Sequence, residues 1–319
     1  MKNKSKRKIK VGVLRGGPSD EHDVSLKTGK SALDNMPENF SGYDIFLSKE
    51  GDWYFEGKLS HPEKVFRAVD VIFNALHGKY GEDGKVQQLL EKFSMPYTGS
   101  GIFGSALGMN KALAREAFAK AGLNVPKGVV INLEVELLSE LRSSTSKCSK
   151  AAEEIFKAMG PSWVVKPVSS GSSVGVSIAH NFNELVEAVK IASAFDSKIL
   201  AEEYIKGREA TCGVIENFRN QEYYSLPVIE IIPPTSHNFF NYKAKYGGET
   251  REICPACFDL EIKNKIEEAA RIAHKALGLR HYSRADFIVA DGKIYILEVN
   301  TLPGMTTESL LPKAIKAVG

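Results

Sequence analysis

The densest chemistry in this chain lies near its C-terminal end. Arg284 and Asp286 are followed by Glu298 and Asn300, with Gly304 shortly after. Two carboxylates and an amide are hard oxygen donors that suit Mg²⁺ or Mn²⁺ rather than zinc or copper. Magnesium sites with so few carboxylates complete their shell with water and substrate phosphates. The pattern points to nucleotide chemistry.

These groups can act together only if they share a face. Apolar runs at residues 287–290 and 294–297 flank Asp291 and Gly292, a strong hairpin signal. A two-residue turn would pair Ala290 with Lys293 and send Asp286 and Glu298 to opposite faces. A three-residue turn with Gly292 left-handed pairs Val289 with Lys293 instead, and puts Arg284, Asp286, Glu298 and Asn300 on one face. A bulged turn at Gly292 is therefore predicted. The competing reading, a surface salt-bridge cluster, is disfavoured by the apolar neighbours on both strands.

A second group is distributed. Lys166 ends an apolar strand, and residues 171–175, including Ser172 and Ser173, form a glycine–serine turn. Such a turn can aim backbone N–H groups and hydroxyls at an anion, with Lys166 adding a point charge; alone it would read as an ordinary hairpin turn. Glu202, Tyr204 and Ile205, then Gly207 and Glu209, form either a solvent-edge strand or an adenosine-binding edge with Glu209 on the ribose. The acids of residues 20–23 could bind metal or simply favour a helix dipole. Glu21 among them could hold an ammonium group.

Other signatures fail. Thr28–Gly29–Lys30–Ser31 resembles the end of a P-loop, but Val24 stands where that pattern needs glycine. Gly99, Gly101 and Gly104 satisfy G-x-G-x-x-G without the preceding strand or following acid of a dinucleotide site. Cys254 and Cys257 match C-x-x-C, yet no second pair completes a zinc site and the motif opens no βαβ unit. They read as two neighbouring thiols.

The elements that must position these groups suit a soluble α/β protein. The chain has 319 residues, 43% hydrophobic and 25% charged, which suggests two or three domains and no disorder. No apolar run reaches membrane-spanning length and no secretory signal is evident, so a cytoplasmic enzyme is expected. Six cations in the first ten residues account for the net charge of +3 and leave the body slightly acidic. No basic face for nucleic acid is present. Strands are expected at residues 8–14, 43–47 and 71–76, with helices at 20–35 and 84–93, a parallel unit ending near Gly104. A helix follows at 111–122. Residues 143–149 read as a loop before a helix at 150–159. A strand at 163–167 pairs with one at 174–178, covered by a helix at 182–195. Beyond residue 199 strands dominate, interrupted at 233–255 by a loop long enough to be a lid.

Taken in order, these landmarks resemble the D-alanine–D-alanine ligases of the ATP-grasp superfamily. The resemblance rests on Gly16–Gly17 with Glu21, Val24 and Ser25; on Leu76–His77–Gly78 with Gly81–Glu82–Asp83–Gly84; and on Pro96–Tyr97–Thr98–Gly99–Ser100. To these add Lys166–Pro167, the 171–175 turn, Lys243–Ala244–Lys245–Tyr246, the hairpin, and Pro303–Gly304–Met305–Thr306. It covers nearly the whole chain. It implies an α/β ATP-grasp fold with three domains (1–107, 108–204 and 205–319) and an active site at their junction. ATP would phosphorylate a first D-alanine, and the amine of a second would attack the acyl phosphate. By the same resemblance Glu21 binds the first ammonium, linked to Ser172 and Tyr246. Lys111, Lys166, Ser173 and Lys245 serve the phosphates; Glu202, Tyr204, Ile205 and Glu209 serve adenosine. Asp286, Glu298 and Asn300 hold two Mg²⁺ or Mn²⁺ ions. Arg284 and the Gly304 N–H meet the oxyanion, and Ser309 the second carboxylate. A homodimer is the family expectation. The Lys245–Tyr246 pair favours D-alanine over D-lactate as second substrate; D-serine addition and a non-catalytic nucleotide binder are the alternatives. Departures are Asn110 where aspartate is usual, Ser169–Ser170 for a more charged pair, Glu203 where lysine is frequent, and an end at Gly319, short of the final helix many relatives carry.

Overall fold

In the computed structural model residues 7–133, 145–171, 173–233 and 250–319 are described, and every count refers to them. Ser172, Lys245, Tyr246 and most of the 233–255 loop lie outside those residues.

The stretch around Val11, Val13 and Leu14 is apolar toward both faces, as a central parallel strand must be. It forms β1 (Ile9–Gly16), flanked in parallel by β2 (Phe40–Leu47) and β5 (Val71–Asn74). Two short strands, β3 (Trp53–Phe55) and β4 (Lys58–Leu59), extend the β2 edge antiparallel. Helix α1 (His22–Asp34) follows β1, so Glu21 at its N-cap stands beyond the carboxyl end of the central strand. That edge is where parallel sheets bind ligands. The P-loop-like Thr28–Ser31 segment is indeed internal to α1. After α2 (Pro62–Phe66) and α3 (Lys85–Lys92) comes α4 (Ile102–Met109), a helix the sequence reading omitted. Its glycines serve packing: a side chain at Gly104 would press on the carbonyls of Leu277 and Gly278.

A second sheet is antiparallel throughout, ordered β6 (Gly128–Asn132), β9 (Lys198–Glu203), β7 (Trp163–Pro167), β8 (Ser177–Ala179). Helices α6 (Thr145–Ala158) and α7 (Phe182–Ser193) bury Ile155, Leu185 and Val189 with Trp163 and Val165 in its core. The β7–β8 hairpin is the predicted one, but its second strand starts at Ser177. Residues 145–149 are helical rather than loop.

The third sheet runs β13 (Arg251–Ile253), β12 (Ile229–Ile232), β10 (Arg208–Phe218), β14 (Tyr282–Ala290), β15 (Lys293–Asn300), with β11 (Gln221–Ser225) also on β10. Helix α8 (Leu260–Ala276) covers it. Helix α5 (Lys111–Lys120) joins the same core through Ala114 and Phe118, against Phe287 and Ile296. Thus a helix from the expected central unit packs on the third sheet. The expected boundary after residue 107 falls inside α4.

The β14–β15 hairpin corrects one expectation and keeps its consequence. Ala290 pairs with Lys293, and Asp291 (φ 49°) and Gly292 (φ 71°) are both left-handed, as a two-residue type I′ turn requires. The bulge lies further in: Phe287 pairs with Ile296 while Asp286 pairs with Glu298, leaving Leu297 as the extra residue. Parity demanded one extra residue, and Asp–Gly suits the tight turn, so the extra residue moved into the strand. Asp286 faces Glu298 and Arg284 faces Asn300 all the same.

Hydrogen bonds at Ser31, Glu82 and Gly99 clasp the first sheet's unit to the third. Glu82 Oε1 accepts from the Gly78 N–H (2.9 Å), and its other oxygen accepts from the Thr301 hydroxyl (3.2 Å) and the Leu302 N–H (3.3 Å). The Gly99 N–H donates to His281 Nδ1 (3.0 Å), and the Ser31 hydroxyl to the Met305 carbonyl (3.0 Å). Burial and then the nearby Arg280 hold His281 below its ordinary 6.5, consistent with the neutral ring that contact needs. Among the described residues no helix is long and apolar enough to cross a membrane, and all four cysteines are free.

Candidate active site

A cavity of ≈ 430 Å³ opens between the second and third sheets. Its apolar walls include Val164 and Ile178 on one side and Ile231, Phe287 and Leu297 on the other, a slot suited to a flat aromatic ring. Lys111, Lys166, Ser173, Asp286 and Glu298 line its polar part, and Glu202, Tyr204, Ile205 and Glu209 its connection between the sheets.

Asp286 is held on all sides. Arg284 donates to it through Nε and Nη2 (2.9 Å each), the Thr211 hydroxyl lies 2.6 Å from Oδ1, and Asn300 Nδ2 donates to Oδ2 (3.0 Å). Opposite it, Glu298 Oε2 lies 3.9 Å from Lys111 Nζ. Lys111 begins α5, capped by Asn110, whose side chain accepts from the Leu113 N–H (3.1 Å). Asparagine caps a helix as well as aspartate does, so this departure from the family pattern leaves the helix start intact. Lys111 also donates to the Ser170 carbonyl.

Lys166 and Glu202 are almost completely buried, 7% and 3% exposed. Their charged ends meet at 2.5 Å, and Arg115 Nε is 3.4 Å from the other carboxylate oxygen. Burial of Glu202 is thus compensated by two cations. Two backbone N–H groups of this edge are already engaged: that of Glu203 donates to the Lys127 carbonyl and that of Tyr204 to the Ser162 carbonyl (2.8 Å each). The Glu203 carboxylate accepts from the Lys127 N–H (2.9 Å).

A second cavity of ≈ 440 Å³ is lined by Glu21, Gly78, Ser169, Ser170 and Gly171. The Ser19 hydroxyl accepts from the Glu21 N–H (3.1 Å) and donates to the His77 carbonyl (2.6 Å), fixing that loop. In the segment after β15, Ser309 Oγ accepts from the Thr306 N–H (3.1 Å) and lies 2.8 Å from the Thr306 hydroxyl; neither Gly304 nor Ser309 lines either cavity. A Cβ on residue 304 would come within 2.8 Å of Ser309 Oγ, so only glycine leaves that approach open.

The structure therefore gathers Lys111, Lys166, Ser173, Glu202, Tyr204, Ile205, Glu209, Asp286 and Glu298 at one cavity. Arg284 and Asn300 stand directly behind it, and Glu21 lines the neighbouring one. Sequence reasoning passed over Arg115 and Thr211. Arg115 is one helical turn after Lys111, and Thr211 is two residues after Glu209 on one strand face; both periodicities were legible. Glu82 had no local signal for its contacts with Thr301 and Leu302.

Two sheets closing on a nucleotide-sized cleft, with Lys166 on one, a carboxylate pair on the other and Lys111 at the start of α5 beside that pair, define an ATP-grasp protein. Models of the D-ala D-ala ligase C-terminus and N-terminus match residues 117–319 and 57–100. A D-alanine–D-alanine ligase of Syntrophobacter fumaroxidans is 40% identical, covering 99% of this chain and 94% of the relative; one from Geotalea uraniireducens is 42% identical, covering 97% and 91%. Solved structures agree. The VanG D-Ala:D-Ser ligase from Enterococcus faecalis gives a TM-score of 0.81 at 30% identity over 98% of this chain and 95% of that one. The D-alanine–D-alanine ligase from Bacillus anthracis complexed with ATP gives 0.74 at 31% over 98% and 92%. The chain belongs to the D-alanine–D-alanine ligase family.

Proposed function

We propose that this chain joins two molecules of D-alanine with ATP, releasing D-alanyl-D-alanine, ADP and phosphate for peptidoglycan precursors. The observation that carries this reading is the position of Lys111. Its amine reaches Ser170 of the second cavity and lies near Glu298 of the first. A phosphoryl group beside Lys111 would thus adjoin a carboxylate whose ammonium rests on Glu21.

In this reading the apolar slot takes adenine, with Glu202, Tyr204 and Ile205 at its edge and Glu209 on the ribose. Lys111, Lys166 and Ser173 bind phosphates, joined by Lys245. Lys166 would exchange its ion pair with Glu202 for phosphate oxygens while Arg115 keeps Glu202 compensated. Asp286, Glu298 and Asn300 fit Mg²⁺ or Mn²⁺, two ions by family resemblance, because they offer hard oxygens on one face beside the lysines. Asn300 uses its amide nitrogen on Asp286, so its amide oxygen is the donor to a cation. Bound there, the metal would neutralise charge on the transferring phosphoryl group.

Glu21, linked to Ser172 and Tyr246, would fix the first D-alanine so that its carboxylate receives the phosphoryl group. The amine of the second then attacks the acyl phosphate, and phosphate leaves the tetrahedral intermediate. Arg284, through Nη1, and the Gly304 N–H would meet the oxyanion; Ser309 would hold the second carboxylate. Preorganised donors aimed at developing charge supply the largest share of such catalysis. The three expected units, 1–107, 108–204 and 205–319, would close around this point, in the cytoplasm and as a homodimer.

The test is purified protein with Mg-ATP and D-alanine, followed for phosphate and dipeptide. Folded protein releasing no D-alanine-dependent phosphate would reject the reading. D-Serine and D-lactate as second substrates are the comparison arms, and D-alanine is expected to be the best of the three.

A further inference from the structure

Thr211 stands opposite Asp286 in the β10–β14 ladder and is 1% exposed. Its hydroxyl lies 2.6 Å from Asp286 Oδ1 and 3.0 Å from the Ala285 carbonyl. A hydroxyl carries one proton. The shorter distance and the charged acceptor assign that proton to Asp286. The other donors to this carboxylate have second duties in the proposed reaction, Arg284 at the oxyanion and Asn300 at the metal. Thr211 sits on a strand hydrogen-bonded on both sides, and both hydroxyl contacts are to β14. Its backbone also continues from Glu209, so one strand serves both the ribose and the metal ends of the cleft.

We propose that Thr211 is a positioning residue that fixes the orientation of the Asp286 carboxylate and thereby sets the site's affinity for Mg²⁺ or Mn²⁺. This rests on the reading of Asp286 as a metal ligand. Outer-shell hydrogen bonds orient the ligating atoms of metal sites, and their loss typically weakens metal binding. Valine has nearly the shape of threonine but no donor, so it would remove one of the four hydrogen bonds that set the carboxylate's orientation, leaving those of Arg284 and Asn300, while keeping the strand packed.

The experiment measures Mn²⁺ binding directly, by electron paramagnetic resonance of free Mn²⁺ with a non-hydrolysable ATP analogue present. Thr211→Val is expected to raise the Mn²⁺ dissociation constant roughly 10–100-fold. The Mg²⁺ concentration for half-maximal rate should rise in parallel, with KM for D-alanine near that of the unmutated enzyme, and Thr211→Ser should restore Mn²⁺ affinity. Unchanged Mn²⁺ binding in Thr211→Val, or a serine variant as impaired as valine, overturns the inference. Should valine fail to melt cooperatively, Thr211→Ala against Thr211→Ser carries the same comparison. Asp286→Asn separates the two levels: if it binds Mn²⁺ normally, the metal reading itself fails; if it loses Mn²⁺ while Thr211→Val does not, only the role of Thr211 fails.

Discussion

Asp286 projects from a strand hydrogen-bonded on both sides and receives donors from Arg284, Thr211 and Asn300. Glu21 sits instead at a helix N-cap between loops, facing Gly78 and Gly171 with Ser19 as its support. In the proposed reaction the first region presents fixed charge to a group whose own charge changes, where small displacements are costly. In the same proposal the second admits a small zwitterion and releases it within a product, which a loop-built pocket can accommodate. Mutations should therefore act on turnover at the strands and on substrate affinity at the loops.

The strongest break should come at Glu298. Glu298→Gln is expected to lower kcat by at least about 10²–10³-fold, seen as loss of phosphate release at saturating D-alanine and ATP; near-normal turnover would contradict the assignment of this carboxylate. Gly304→Ala follows. Its new methyl would meet Ser309 Oγ at 2.8 Å, and the resulting shift should cost on the order of 10²-fold in kcat/KM, with the melting temperature little changed. At the loop, Glu21→Gln should raise KM for the first D-alanine about 10–100-fold, the value of a charge-assisted contact, and affect saturated turnover less. If kcat fell as far as in Glu298→Gln, the contrast between strand and loop would collapse.

The smallest effect is expected in the clasp between the sheets. His281 and His274 both hold their protons less tightly than ordinary histidine, in each case chiefly through burial. As pH falls below about 6.5 the unfolded chain takes up protons first, so stability is present above that value and declines beneath it. Urea unfolding between pH 8 and pH 5 should show the midpoint dropping at the acid end. His281→Asn, which tolerates the left-handed backbone found there (φ 65°), should flatten that slope in part, with His274 keeping the remainder.

The clearest reading from sequence was the shared face of Arg284, Asp286, Glu298 and Asn300, because strand parity is a local rule. The position of the bulge was not legible. Parity fixes how many residues must be added but not where; the one left over, Leu297, lines the cleft. Lys166 was readable as a strand-end cation, but its partner Glu202 arrives from a strand paired in three dimensions. The Glu82 clasp joins residues more than two hundred positions apart, which no periodicity announces. Helix α5 illustrates a further limit: its amphipathic pattern showed that one face is buried, but not which sheet would cover it.

The site of the extra residue also has a consequence for engineering. Since the register correction is made at Leu297, the hairpin tip at Asp291–Gly292 is mechanically separate from the chemistry, and a short insertion there should lengthen the tip while leaving the cleft unchanged. Removing Leu297 alone would leave a regular hairpin in which Glu298 still faces Asp286 and Asn300 still faces Arg284, because the deleted residue is the unpaired one; the cleft would lose an apolar wall residue and keep its charged face.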